Sequence, residues 1–265
     1  MGGVGDGSVA MVGPGLEHNS RTMTLPMPSM GAFEPSPVGS NVRLADIGWL
    51  FLSSTLAEIL TLVSVSLAHG SRYVSVLAAL NVGNIWYLAR YAQLAPRRGW
   101  PDLRQRFAAI DHRVLIGCVA GGAALALGFI GFEELLEWGG IKLTELPSQP
   151  YAPSHPSQLA AAVITIAVIG PLAEELLFRG LLLDWLRQKM PTVGAVITVS
   201  VLFSLAHGIA VKSGLAGWLQ CAYRVLMGII AALLTVRFQS LRPSLVFHAT
   251  INLIGVVGTV LASPG

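Results

Sequence analysis

The sequence predicts an all-α polytopic membrane protein, a bundle of seven transmembrane helices, or eight if the stretch 157–188 divides. Three observations carry this. Of 265 residues, 53% are hydrophobic and only 12% charged, about half the charged share of an ordinary soluble domain. Mean hydropathy is +0.65. The apolar residues come in blocks of about 20, the length a helix needs to cross the hydrocarbon core. The 17 Lys+Arg and 14 Asp+Glu could hardly give a soluble fold its polar skin. An ordinary cytosolic enzyme, a disordered chain and a disulfide scaffold are excluded.

Residues 1–45 hold eight glycines and five prolines and show no amphipathic period. Such a segment buries too little apolar surface to offset its ordering entropy and reads as a disordered tail. It has no basic n-region leading into a continuous apolar core, so it is not a signal peptide. Residues 46–265 form the transmembrane domain, with apolar segments at 46–68, 72–94, 113–132, 157–188, 193–211, 215–238 and 243–262. As one helix, 157–188 would run about 48 Å, too long for an upright span. Gly170-Pro171 interrupts it, which makes it one tilted, kinked helix or two elements. Cys118 and Cys221 both fall in apolar segments, so there is neither a disulfide framework nor a CxxC metal site. Glycines 117, 121, 122 and 128 are expected to let helices approach closely.

Basic residues set orientation. Arg90, Arg97, Arg98, Arg104, Arg106 and Arg113 cluster around the 95–112 loop, which is therefore expected on the cytoplasmic side. Alternation adds Arg187, Lys189, Arg237, Arg242, Arg21 and Arg43, so that 12 of 17 basic residues lie inside. Only Arg72, Lys142 and Lys212 fall outside. Glu133, Glu134, Glu137 and Glu145 suit the outer face of the next loop. The expectation is a multi-pass cell-membrane protein, N-terminus cytoplasmic and C-terminus extracytoplasmic.

Ionisable groups inside a bilayer are expensive and usually face a bundle interior or a wet cavity. Here they gather in the last four spans. Glu174 and Glu175 precede Arg179 by five and four residues. Glu175 and Arg179 are spaced for a helical ion pair with the glutamate first. Glu174 points about 100° away and is left free of that arginine. Phe203 and His207 share a helical face at i,i+4, as do His248 and Asn252. One free carboxylate, two imidazoles and an amide on three helices suit hydrolysis. The carboxylate can take a proton from water beside a peptide carbonyl. His248 and Asn252 can donate to the oxyanion that forms. Glu58 and Arg224, on the first and sixth segments, read as a structural ion pair. Trp49, Trp86, Trp100 and Trp138 lie near span ends, as interfacial anchors do.

The three patterns, Glu174-Glu175-Leu-Leu-Phe-Arg179, Phe203-Ser-Leu-Ala-His207 and His248-Ala-Thr-Ile-Asn252, together resemble the CPBP (CAAX-processing and bacteriocin-processing) family of intramembrane proteases. That family includes the Ras-converting prenyl-protein endopeptidases, and its pattern is EExxxR, FxxxH and HxxxN on successive membrane helices. The likeness runs from about Ser157 to Leu261, so 157–262 is the expected catalytic core; nothing in residues 1–156 carries it. It implies a glutamate-dependent endopeptidase acting on a membrane-associated, CAAX-type protein or peptide. By the motif match, Glu174 activates water, His207 helps position it, and His248 and Asn252 form the oxyanion site. Glu175 and Arg179 organise the acidic helix, with Phe203 in support.

No cofactor is implied. Zinc held by Glu174, His207 and His248 would make an open His2Glu set, but there is no HExxH, and the resemblance favours glutamate over metal. Two other classes compete. A transporter could use Glu58, Glu174, Glu175, Arg224, Asn81 and Asn84 as an ion path, although no internal repeat supports it. A non-catalytic immunity or partner protein would need none of this chemistry. The expected partners are a peptide or protein substrate and the lipid bilayer, with no nucleic acid. One geometric conflict remains. Counted from the inner ends, Glu174 and His207 lie about 21 Å deep, but His248 only about 8 Å. They meet only if the last span starts deeper or helices tilt. Arg237, Gln239 and Arg242 would then line a wet entry open to the cytoplasm.

Overall fold

The computed structural model describes residues 1–3, 42–68, 71–141, 156–208 and 214–262. Most of the expected tail, residues 4–41, lies outside the described residues, as do Lys142, Glu145 and Lys212. The chain divides into two units, Met1–Glu34 and Pro35–Gly265. Every element below belongs to the second.

Each of the seven apolar segments coincides with a helix. These are α1 (Leu44–Leu67), α2 (Arg72–Arg98), α4 (His112–Trp138), α5 (Pro156–Arg187), α6 (Thr192–Ala206), α7 (Gly214–Phe238) and α8 (Arg242–Ala262), with a one-turn helix α3 (Leu103–Arg106) between α2 and α4. Four of them, α1, α4, α5 and α7, are long and apolar enough to cross a membrane, and α6 is a shorter apolar helix. Local chemistry sets the ends. Ser71 caps α2 by accepting from the Val74 N–H, and Asp111 caps α4 through the Arg113 N–H. Asp102 and Gln105 close a reciprocal capping box on α3. These side chains satisfy N–H groups that a helix start leaves without partners. Glu133, Glu134 and Glu137 lie on the last turns of α4 rather than in a loop. Glutamate is a good helix former, and these turns extend the helix past its apolar stretch.

The segment 156–187 is a single helical element. Two stretches of wide, π-helical turn, Val163–Ile169 and Leu176–Leu182, flank the tighter Gly170–Glu175. Pro171 has no N–H, and its ring would clash with a carbonyl in an ordinary turn. The wide turn relieves this: the Gly170 N–H bonds back to the Thr165 carbonyl, five residues away. Gly170-Pro171 therefore bends the register and does not divide the helix.

Helix α5 is the centre of the bundle. Half of its most apolar window is buried, against 11% for α1. One side gives Ala173, Leu176 and Leu181 to a cluster with Leu50, Tyr87, Tyr91 and Leu241. The other gives Phe178, Leu183 and Leu186 to a cluster with Val199, Phe203, Met227 and Phe247. Lipid tails are as apolar as these side chains, so close packing more than water exclusion holds such helices together. Glycine matters at two contacts. A Cβ on Gly122 would lie 2.7 Å from the Phe247 carbonyl, and one on Gly228 would lie 2.9 Å from Ser200 Cβ. Glycines 117, 121 and 128 face open space, so of the four expected packing glycines only Gly122 meets a neighbouring helix.

The connection 99–111 is laid across the turn between α7 and α8. Arg106 anchors it, donating to Asp184 Oδ2 at 2.6 Å and to the Tyr91 hydroxyl at 3.2 Å. Burial works against the Arg106 charge. Asp184 and Tyr91 more than offset this, and the guanidinium pKa is raised. The Leu241 N–H then donates to the Arg106 carbonyl, Ser240 Oγ to that of Ala108, and Arg242 Nε to that of Phe107. Ser240 and Leu241 are buried as a result. The start of α8 is thus covered by the 99–111 connection.

Candidate active site

Glu174 and Glu175 stand side by side on α5 and separate as helical geometry demands. Glu175 turns inward and is fully buried with Arg179. Its Oε1 receives Arg179 Nη1 at 2.9 Å and His248 Nδ1 at 2.9 Å. Arg179 also stacks over the Phe203 ring, with Cζ 4.3 Å from the centroid. Phe203 therefore lies between the guanidinium and the two imidazoles. It meets His207 at 4.5 Å and His248 edge-on at 5.7 Å.

Glu174 turns to the open side. Its Oε2 lies 3.6 Å from His207 Nε2 and 3.6 Å from His248 Nε2. Its side chain is 30% exposed and that of His207 32%, whereas His248 is at 1%. His248 is the floor of the cleft, and Glu174 with His207 forms its rim. His207 caps the end of α6 rather than lying within it, and its Nδ1–H donates to the Phe203 carbonyl at 2.8 Å. That fixes the tautomer and leaves Nε2 facing Glu174. The same logic holds at His248, whose Nδ1–H donates to Glu175. At 3.6 Å the carboxylate and imidazoles are too far apart for direct hydrogen bonds, a gap suited to a bridging water. Asn252 lies one turn beyond His248 on α8 and donates to the Ile166 carbonyl at 2.8 Å. One of its two amide hydrogens is thus committed to the wide turn of α5.

All seven motif residues therefore converge, including the pair that depth counting set apart. Among the described residues, no group of three or more His, Cys, Asp or Glu has metal-holding geometry. The expected pairing of Glu58 with Arg224 does not occur among the described ion pairs. Glu58 instead fills the notch at Gly83 of α2. Of the three residues expected to line an entry, Gln239 borders a cavity of about 260 Å³ with Gln105, Arg106, Asp184 and Arg187. Arg242 is held by Phe107, and Arg237 lies over Phe238. The sequence reading missed two partners, the Ile166 carbonyl and the Arg106–Asp184 anchor. The first is a backbone group with no side-chain signature. The second joins residues 78 apart.

Residues 156–254 match the family model of the Rce1-like proteins, described as Type II CAAX prenyl endopeptidase Rce1-like. Over this stretch the chain is similar to that family. The match includes the Glu174–Arg179, Phe203–His207 and His248–Asn252 motifs. At the level of the family, the Rce1-like stretch is that of a CAAX-type membrane protease, a hydrolase with a protein or peptide substrate at the membrane. No curated protein and no solved structure matches the chain.

Proposed function

We propose that this protein is an intramembrane endopeptidase in which Glu174 activates the attacking water. The observation that carries the reading is the single carboxylate oxygen of Glu174 facing two imidazole nitrogens at equal distance. A water between them would give one proton to Glu174 while His207 Nε2 accepts its other hydrogen and fixes its direction. Attack on the scissile carbonyl forms a C–O bond and leaves an oxyanion. His248 has Nδ1–H bound to Glu175, so it offers an Nε2–H only as the imidazolium, and Glu175 is placed to balance that charge. The second amide hydrogen of Asn252 is the other donor. Glu174 then returns its proton to the leaving nitrogen as the C–N bond breaks.

The substrate is a membrane-associated protein or peptide of CAAX type, and the reaction requires no metal. The chain lies in the cell membrane with seven spans and a cytoplasmic N-terminus, which keeps the basic 95–112 connection inside. Purified protein in lipid, incubated with a peptide library including prenylated CAAX peptides, is the test. Cleavage should survive chelation and fall about 10²–10⁴-fold in Glu174→Gln, the usual size of a lost general base. Absence of Glu174-dependent cleavage under every lipid condition defeats the proposal. Stoichiometric zinc with chelator-sensitive activity replaces water activation by glutamate with a metal mechanism.

A further inference from the structure

Among the described residues, two charged side chains near the Glu174–His207 group have no hydrogen bond or ion pair. Glu58 on α1 is half-buried and fills the notch at Gly83 of α2. A Cβ at Gly83 would fall inside the Glu58 side chain. The same face of α2 is fixed to α5, since Asn81 Nδ2 donates to Thr165 Oγ1 at 2.8 Å. Asn84 Nδ2 lies 3.9 Å from where a Gly170 Cβ would be. Glu58 thus stands beside the turn that precedes Glu174. Arg224 is placed by a different contact. Gly228 packs on Ser200, and the Ser204 hydroxyl donates to the Cys221 carbonyl at 3.0 Å. In this antiparallel register, Arg224 comes level with Ser204, one turn below His207. Helix α1 packs on α2, and α7 on α6 and α8, so the two charges approach the cleft from different walls. Neither has a hydrogen bond or ion pair among the described residues.

An unpaired charge at membrane depth marks a functional contact. Resting on the protease reading, we propose that Glu58 and Arg224 are specificity-determining residues that read the polarity of the bound peptide. A cationic side chain of the substrate lies toward Glu58, and a carboxylate, from an acidic side chain or the chain terminus, lies toward Arg224. The cleft therefore admits one order of charge along the peptide and disfavours the reverse.

The test uses fluorescent Ala/Leu peptides carrying Lys then Glu, Glu then Lys, or Gln at both positions, each with a free or amidated C-terminus. Binding is read by anisotropy on Glu174→Gln protein in lipid, and cleavage on the wild type. One charge order should bind about 10–100-fold more tightly than the other, the range expected for a hydrogen bond to a charged group. Adding Glu58→Gln or Arg224→Gln should each reduce that ratio, acting on KM more than kcat. Loss of preference on amidation assigns the terminus as the carboxylate, and its retention assigns the side chain. Equal binding of both orders overturns the proposal, as does a preference that neither substitution alters. Charge-ordered binding without any cleavage by the wild type would instead defeat the protease reading and leave the polarity reading standing.

Discussion

At the residue scale, the proposed mechanism divides labour between adjacent carboxylates. Glu175 is closed in by Arg179 and His248, and its burial makes each partner indispensable. Removing one member of a buried ion pair strands the other charge, at about 3–5 kcal/mol. Arg179→Ala is therefore expected to lower the thermal midpoint sharply in detergent. Glu174→Gln should leave that midpoint nearly unchanged while sharply reducing cleavage, because its imidazole neighbours stand 3.6 Å away and the carboxamide keeps the same shape. Equal destabilisation by both would mean that Glu174 is structural. The spacing of the motifs made this division legible, since a 100° separation on one helix forces the two glutamates apart. Its consequence for His248, a proton committed to Glu175, was not legible. It depends on a contact between residues 73 apart.

At the element scale, the wide turns of α5 and the glycine contacts carry the architecture. Both stretches of wide turn border Gly170–Glu175, and the first supplies the Ile166 carbonyl that holds Asn252. Gly122→Ala and Gly228→Ala are expected to destabilise by about 1–3 kcal/mol each, because the new methyl meets atoms of a packed neighbour. Gly121→Ala, with open space around it, should be neutral or better. Thermal denaturation of the three variants checks this; an equal loss in all three would show that these contacts are not limiting. Composition announced small residues in this helix but could not say which of them faces α8.

At the scale of the whole molecule, the 99–111 connection joins neighbouring ends of α2, α5 and α8 through Arg106, Asp184 and Ser240. Asp184→Asn should loosen this roof, increase proteolysis within 99–111 and reduce activity, even though Asp184 contacts no motif residue. Protection equal to the wild type would count against the roof. The proposed topology is tested in a background with Cys118 and Cys221 replaced by serine. In intact cells, an impermeant maleimide should label a cysteine at Trp138 and fail to label one at Arg104. The reverse pattern would invert the orientation.

The sequence by itself determined the class of molecule and which polar residues gather in its later helices. The reason is that hydropathy, helical spacing and the cost of intramembrane charge all act locally. Low charge, blocks of about 20 apolar residues and three short motifs can be read without knowing what touches what. Only the tertiary structure decided that α5 continues through Gly170-Pro171, that the 99–111 connection roofs the start of α8, and that His248 thereby meets Glu174. It also left Glu58 and Arg224 without an ion pair to each other among the described residues. Those outcomes depend on packing between segments far apart in the chain, where no periodicity carries a signal.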